Sequence, residues 1–176
     1  MDETTDQPMR DCGSCHACCI DLIIGEKPAG VSCQHLTPSG CAIYATRSAL
    51  CRAYNCLWRI AGEERLDDWQ RPDRIGCILS IMRASALNLL LKEGHDWLLA
   101  VARPCNGHEG LADRTLAFEA IRRVLVSGMH VFIDEPLASG HIATLLPPLR
   151  PATPEFVALI QRAVNVPPQI PQTPAD

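Results

Sequence analysis

CGSCHACC, Cys12–Cys19, places four thiols within eight residues, two of them adjacent. Its reading decides whether the N-terminal part folds on its own apolar core or around something inorganic. Cys12-x-x-Cys15-x-x-Cys18 repeats a step of three. In a tight turn such a step brings two side chains to one point, and backbone N–H groups in the turn can donate to the sulfurs. Two steps in succession gather three sulfurs and leave a fourth donor to come from farther along. Zinc sites more often unite two separate pairs, whereas a triple run with a distant fourth ligand is the iron–sulfur habit. In bacterial ferredoxins the fourth cysteine precedes proline, and no cysteine here does. Adjacent side chains diverge, and a disulfide between neighbours is strained. Cys19 is therefore expected to face a second centre or to bridge two.

Eight of the ten cysteines fall in the first third: Cys12, Cys15, Cys18, Cys19, Cys33, Cys41, Cys51 and Cys56. Only Cys77 and Cys105 lie beyond. A chain of 176 residues that is 47% hydrophobic can bury a core of its own, so the sulfur is not needed to rescue a small fold. The net charge of -4 and the scattered Lys and Arg lack the basic footprint of a nucleic-acid binder. MDETTDQPMR is acidic and polar, not a secretory signal, and no run of about 18 apolar residues suggests a membrane span. The expectation is a cytoplasmic protein. Cytosolic reductants keep thiols reduced, so a dense cluster there favours metal over a disulfide framework or a redox dithiol.

The composition predicts three stretches. Residues 1–60 form a loop-rich, cysteine-cluster metal-binding region, with KPAG and TPSG as turns. Residues 61–165 form an α/β (α+β) segment: a small sheet with packing helices. Residues 166–176, VPPQIPQTPAD, have little to bury and read as a disordered proline-rich tail. Within the middle stretch, RIGCILSIMR (Arg74 to Arg83), DWLLAVARP (Asp96 to Pro104) and MHVFIDEP (ending at Pro136) read as strands. ASALNLLLKEG either extends the first strand or forms a short helix ending at Gly94, and NGHEG is a loop. Leu111 to Ser127 reads as a helix with Ala117, Phe118, Ile121, Val124 and Leu125 on its apolar side. LLPPLRPATP reads as a connector. A last helix is expected from a Thr153 N-cap and Pro154, burying Phe156, Leu159, Ile160, Ala163 and Val164.

Eight sulfurs divide into two four-coordinate sites, one of them Cys12, Cys15 and Cys18 with a distal cysteine. Two divalent ions held by eight thiolates would carry a net charge of about -4, costly to bury uncompensated. Arg10, Lys27, Arg47, Arg52 and Arg59 flank the cluster, and Arg52 is placed to donate to sulfur. His16 and His35 read as neighbours of the centre rather than ligands. Cys77, in an apolar run, reads as a small buried hydrophobe. Cys105, with His108 nearby, reads as structural, with a reactive thiol as the sharper alternative. His95-Asp96 and Asp134-Glu135 read as solvated loop charges, since no nucleophile accompanies them.

CGSCHACC followed by CQHLTPSGCAIYATRSALCRAYNCLW resembles the CxxCxxCC (YkgJ-type) cysteine-cluster family. The pattern falls on Cys33 with Leu36, Gly40-Cys41 with Ile43-Tyr44, Arg47, Cys51-Arg52-x-Tyr54-x-Cys56, and Trp58. Ser48 stands where that family commonly has proline. The resemblance covers roughly the first third of the chain. It implies a zinc- or iron-chelating domain with all eight early cysteines as ligands. Related clusters in flagellin lysine methylases imply that some members serve enzymes. The expected function is metal binding, through an iron–sulfur cluster (4Fe–4S) or Zn2+, in a redox, sensing or structural role. The alternatives are an enzyme or accessory of the methyltransferase-associated type, or a metal chelator or chaperone. No motif names a protein partner, an organic cofactor or a catalytic residue.

Overall fold

The computed structural model describes residues 10–60, 66–87, 89, 97–105, 115–137 and 140–165. In chain order the elements are α1 (Ala17–Asp21), β1 (Leu36–Thr37), β2 (Gly40–Cys41), α2 (Ala49–Ala53), α3 (Pro72–Ile75), β3 (Cys77–Arg83), β4 (Leu98–Pro104), α4 (Thr115–Val126), β5 (Val131–Leu137), β6 (Gly140–Leu146) and α5 (Pro154–Asn165). Short 3-10 turns interrupt the loops at Tyr44–Thr46, Asp68–Gln70 and Ala84–Leu87. The result is the α+β fold expected, with a small sheet.

The sheet is mixed, in the order β3-β4-β5-β6. β3 and β4 pair antiparallel from Cys77↔Pro104 to Arg83↔Leu98. β4 and β5 are parallel, Ala100↔Val131 to Ala102↔Ile133, which requires a crossover, and α4 lies between them in the chain. β5 and β6 form an antiparallel hairpin from Val131↔Leu146 to Leu137↔Gly140.

Successive strand residues point to opposite faces. Cys77, Leu79, Ala100, Ala102 and Val131 share one apolar cluster with Ala117, Ala120, Ile121, Val124 and Leu125 of α4 and Phe156 and Ile160 of α5. The alanines on both sides let α4 approach the sheet closely. The intervening residues serve other neighbours. Ile78 packs with Ala17, Leu22 and Cys105, and Leu99 and Val101 pack with Ala84. The second face is thus shared between the cysteine-rich region at one end and the segment around Ala84–Leu87 at the other.

The three expected strands and the last helix are present. Thr153 caps α5, accepting from the Phe156 N–H at 3.2 Å, with Pro154 first in the helix. Phe156 and Ile160 are buried and Leu159 packs beside them. Two expectations are corrected. Phe118 is 42% exposed: the buried stripe of α4 is 117, 120, 121, 124 and 125, and Phe118 lies about 100° off it. β6 replaces the start of the supposed connector, since Leu145 and Leu146 pair with Phe132 and Val131. The proline-rich stretch begins only after it and runs back across the end of α4. There Gly128 has φ +94°, and a Cβ would come within 2.2 Å of the Ala152 nitrogen, so no side chain fits. The helix end at Gly94, the start of the helix at 111–114, the NGHEG loop with His108, the His95-Asp96 pair and the tail 166–176 lie outside the described residues.

Residues 54–57 run along the outer edge of β3. Leu57 N–H donates to the Leu79 carbonyl at 2.8 Å, Cys56 forms an isolated antiparallel bridge with Ser80, and the Tyr54 and Ser80 hydroxyls meet at 2.7 Å. This covers part of a sheet edge. It also fixes the last of the early cysteines on the rigid part of the molecule.

Candidate metal centre

The first knuckle is closed by Cys15 N–H donating to the Cys12 carbonyl at 2.9 Å, with Gly13 in the left-handed region. Arg71 holds it from outside. Its guanidinium donates to Ser14 Oγ at 3.1 Å and binds Asp73 through two contacts of 2.7 and 2.8 Å. α1 then carries Cys18 and Cys19. Cys33 is tied to it, its N–H donating to the Cys19 carbonyl at 2.9 Å. The two-residue strands β1 and β2 place Cys41 opposite Leu36. Gly40 has φ +121°, and a Cβ there would stand 2.5 Å from the Gly13 carbonyl oxygen, so the hairpin lies directly on the knuckle backbone. α2 carries Cys51. Ser48 caps it, accepting from the Cys51 N–H at 3.3 Å. Ser48 has φ -54°, a value that proline also adopts.

These elements place all eight early cysteines on the wall of one cavity of about 530 Å3. Ile24, Ile43, Tyr44, Tyr54, Trp58 and Ile78 supply much of its apolar surface. Neither Cys77 nor Cys105 lines it. Cys77 is fully buried in the cluster under α4, as expected of a small hydrophobe. Cys105 is buried among Ala17, Leu22 and Ile78, its thiol donating to the Pro72 carbonyl at 3.3 Å, which is the structural reading. No disulfide links any of the ten cysteines. Among the described residues no three His, Cys, Asp or Glu side chains are grouped so as to hold a single metal ion.

Burial and hydrogen bonding divide the thiols. Cys15 is pushed up to about 12, by burial first, although the Ala17 and Asp73 backbone N–H groups donate to its sulfur. Cys56 is pushed up to about 11, again by burial, while the Arg59 and Trp58 N–H groups donate to its sulfur. Backbone N–H groups thus act on the sulfurs of both Cys15, in the knuckle, and Cys56, outside it. Cys18 and Cys19 do not diverge as expected. Cys18 donates its S–H to Cys19, which raises Cys18 and brings Cys19 down to about 7, with Lys27 and Arg47 helping. Cys12 lies near enough to Cys18 and Cys56 for its charge to act on both.

Several polar atoms of the cysteine-rich region are buried without a hydrogen bond, Tyr44 Oη and Arg47 Nε and Nη1 on the cavity wall and His16 Nε2 and Arg52 Nε off it. The Arg47 guanidinium stacks 3.8 Å from the Tyr44 ring centre. Buried donors without acceptors are costly, and thiolate sulfur would supply the acceptors. Of the basic residues expected to balance charge, Lys27, Arg47 and Arg59 line the cavity. Lys27 is spent on the Ile20, Pro28 and Val31 carbonyls at 2.9–3.1 Å, and Arg59 on the Arg10 carbonyl and Asn55. Arg47 is the one whose donors await a partner among these three. His35 lines the cavity and lies 3.3 Å from Gln34 Nε2. Asp134 is no solvated loop charge: it sits on β5 and binds Arg103 at 2.5 Å. Arg71 and Asp73, which hold the knuckle, carry no sequence signal beyond a charge two residues from another.

No protein-family model matches the chain, and no curated protein or solved structure shows significant similarity to it.

Proposed function

We propose that this protein binds a cysteine-ligated inorganic centre, an iron–sulfur cluster, in the reducing environment of the cytoplasm. The observation that carries the reading is the lining of the cavity. All eight early cysteines reach it, and the two later ones do not. The donor set fits the group: soft thiols, N–H donors already aimed at Cys15 and Cys56, and an Arg47 fork lacking acceptors. Zinc needs four donors about 2.3 Å from one ion. A cavity of about 530 Å3 with eight thiols on its wall has room for a polynuclear core. The triple Cys12-Cys15-Cys18 spacing and the resemblance to the CxxCxxCC family support the same choice. When bound, such a cluster supplies one-electron transfer or a sensing response. The chain's own cysteines would hold it, with Tyr44 and Tyr54 on the surrounding wall and Arg47 to balance charge.

Among the described residues no helix is long and apolar enough to cross a membrane. The test compares two variants purified without oxygen. Cys15→Ser should lose most of its iron, whereas Cys77→Ala should retain the full complement. Equal iron in Cys15→Ser and the unaltered protein would contradict the reading, and zinc in place of iron would replace the cluster by a structural ion.

A further inference from the structure

The eight cysteines are not equivalent, and the fold indicates which of them belong together. This inference rests on the metal-binding reading above and assigns the ligands within it. We propose that Cys12, Cys15, Cys18 and Cys56 form one four-sulfur centre seated on the sheet, with Cys19 outside it.

Three observations converge. The first is backbone pairing. Arg10 N–H donates to the Arg59 carbonyl at 3.0 Å, and Arg59 Nε donates back to the Arg10 carbonyl at 2.8 Å. Arg10 also stacks on Trp58, 5.0 Å from its ring centre. The chain entering the knuckle at Cys12 therefore runs beside the chain leaving Cys56. The second is packing. Cys15, Cys18 and Cys56 all pack against the same small apolar cluster around Ile78 and Ala17, which no other early cysteine joins. The third is wiring. Cys15 and Cys56 each receive two backbone N–H groups at sulfur, from Ala17 and Asp73 and from Trp58 and Arg59. In both cases one donor is two residues beyond the cysteine. Hydrogen bonds of this kind are a lever by which a protein tunes an iron–sulfur centre.

Cys19 differs in what surrounds it. Although it touches Cys18, it is absent from the Ile78 cluster and faces the charges of Lys27 and Arg47. Cys33 is anchored to its backbone. Cys51 stands on α2, bound to its own Ser48 cap. The triple run thus takes its fourth sulfur from the far end of the cysteine-rich region. Cys56 is fixed by its bridge to Ser80 and by the Leu57–Leu79 hydrogen bond, so the centre rests on β3 rather than on loops alone.

The test uses full-length protein prepared without oxygen, with iron, zinc and sulfide counted per chain and the visible spectrum recorded. Cys12→Ser, Cys15→Ser and Cys56→Ser should each lose the same absorption and the same share of metal. The Cys12→Ser, Cys56→Ser double variant should lose no more than either single. Cys51→Ser should keep the absorption that those three lose. Cys105→Ala, in the same apolar cluster, should keep its metal, which separates ligand loss from packing damage. Cys56→Asp retains an anionic donor, so it should shift the spectrum and the reduction potential or lose the centre. A Cys56→Ser protein with unaltered metal content would overturn the assignment, as would additive losses in the double variant or an unshifted, fully loaded Cys56→Asp. Metal missing from the unaltered protein would instead sink the metal-binding reading itself.

Discussion

The cysteine-rich region and the sheet solve burial in different ways. Around β3, β4, β5, α4 and α5 the apolar residues cover one another. Cys77, Ala100, Ala102, Ala117, Ala120 and Val131 are fully buried, and the strands satisfy their own backbone groups. Between residues 10 and 56 the regular elements are two to five residues long, all eight cysteines are only partly buried, and guanidinium and phenol donors lie buried without acceptors. Nothing so short is stable by propensity alone. The contrast teaches that this part of the chain lacks the self-contained apolar core of the remainder, which is what the proposed centre would account for.

Stripping the metal should break the comparison most sharply. Anaerobic chelation should lower hydrogen-exchange protection across residues 12–56 far more than across β3, β4 and β5, because a structural metal's binding energy adds to the stability of the segment it organises. Protection lost everywhere, or nowhere, would show that the two regions do not differ in this way. The converse perturbation is Ile121→Ala. It deletes a buried side chain between α4 and the sheet and should cost about 2–5 kcal/mol in denaturant unfolding. Metal per folded chain should stay unchanged, and loss of metal at full folding would join what the account separates.

Acidity should act in opposite directions on the two forms. In the metal-free protein Cys15 and Cys56 are raised from 9.0 to about 12 and about 11, mainly by burial. A raised folded-state pKa stabilises below the unfolded value, so that contribution is intact below about pH 9 and is lost as pH climbs through 11 to 12. The loaded protein should instead lose metal as pH falls, because protons compete for thiolate. Thermal melts of both forms across pH check the sign, and a metal-free form that gains stability on alkalinisation would contradict it. This is the smallest of the three effects.

Much of the fold was legible because its signals are local. The apolar runs around Ile78–Ile81 and Leu98–Val101 read directly as strands, and Thr153-Pro154 announced the last helix. β6 escaped because Pro147 and Pro148 drew the connector too early. Its residues lie on a sheet edge, with Ala143, Thr144 and Leu145 all exposed, so GHIATLL lacks the apolar–polar alternation that marks a half-buried strand. Phe118 misled because it neighbours the true stripe, where the smaller Ala120 takes the buried place. At the site, spacing singled out the eight early cysteines, and these line the cavity whereas Cys77 and Cys105 do not. Spacing could not name the fourth sulfur proposed for the triple run. That depends on Arg10 meeting Arg59 and on Cys56 meeting Ser80, contacts between distant parts of the chain that no local pattern encodes. The Cys18–Cys19 contact was likewise out of reach, since neighbouring side chains in a strand would part but in a one-turn helix need not.

The most direct measurement is elemental: iron, zinc and acid-labile sulfide per chain in protein purified without oxygen, alongside circular dichroism of the same sample. The account predicts iron and sulfide in matched amounts, a brown colour and a folded chain. A fully folded protein carrying neither iron nor zinc would contradict it.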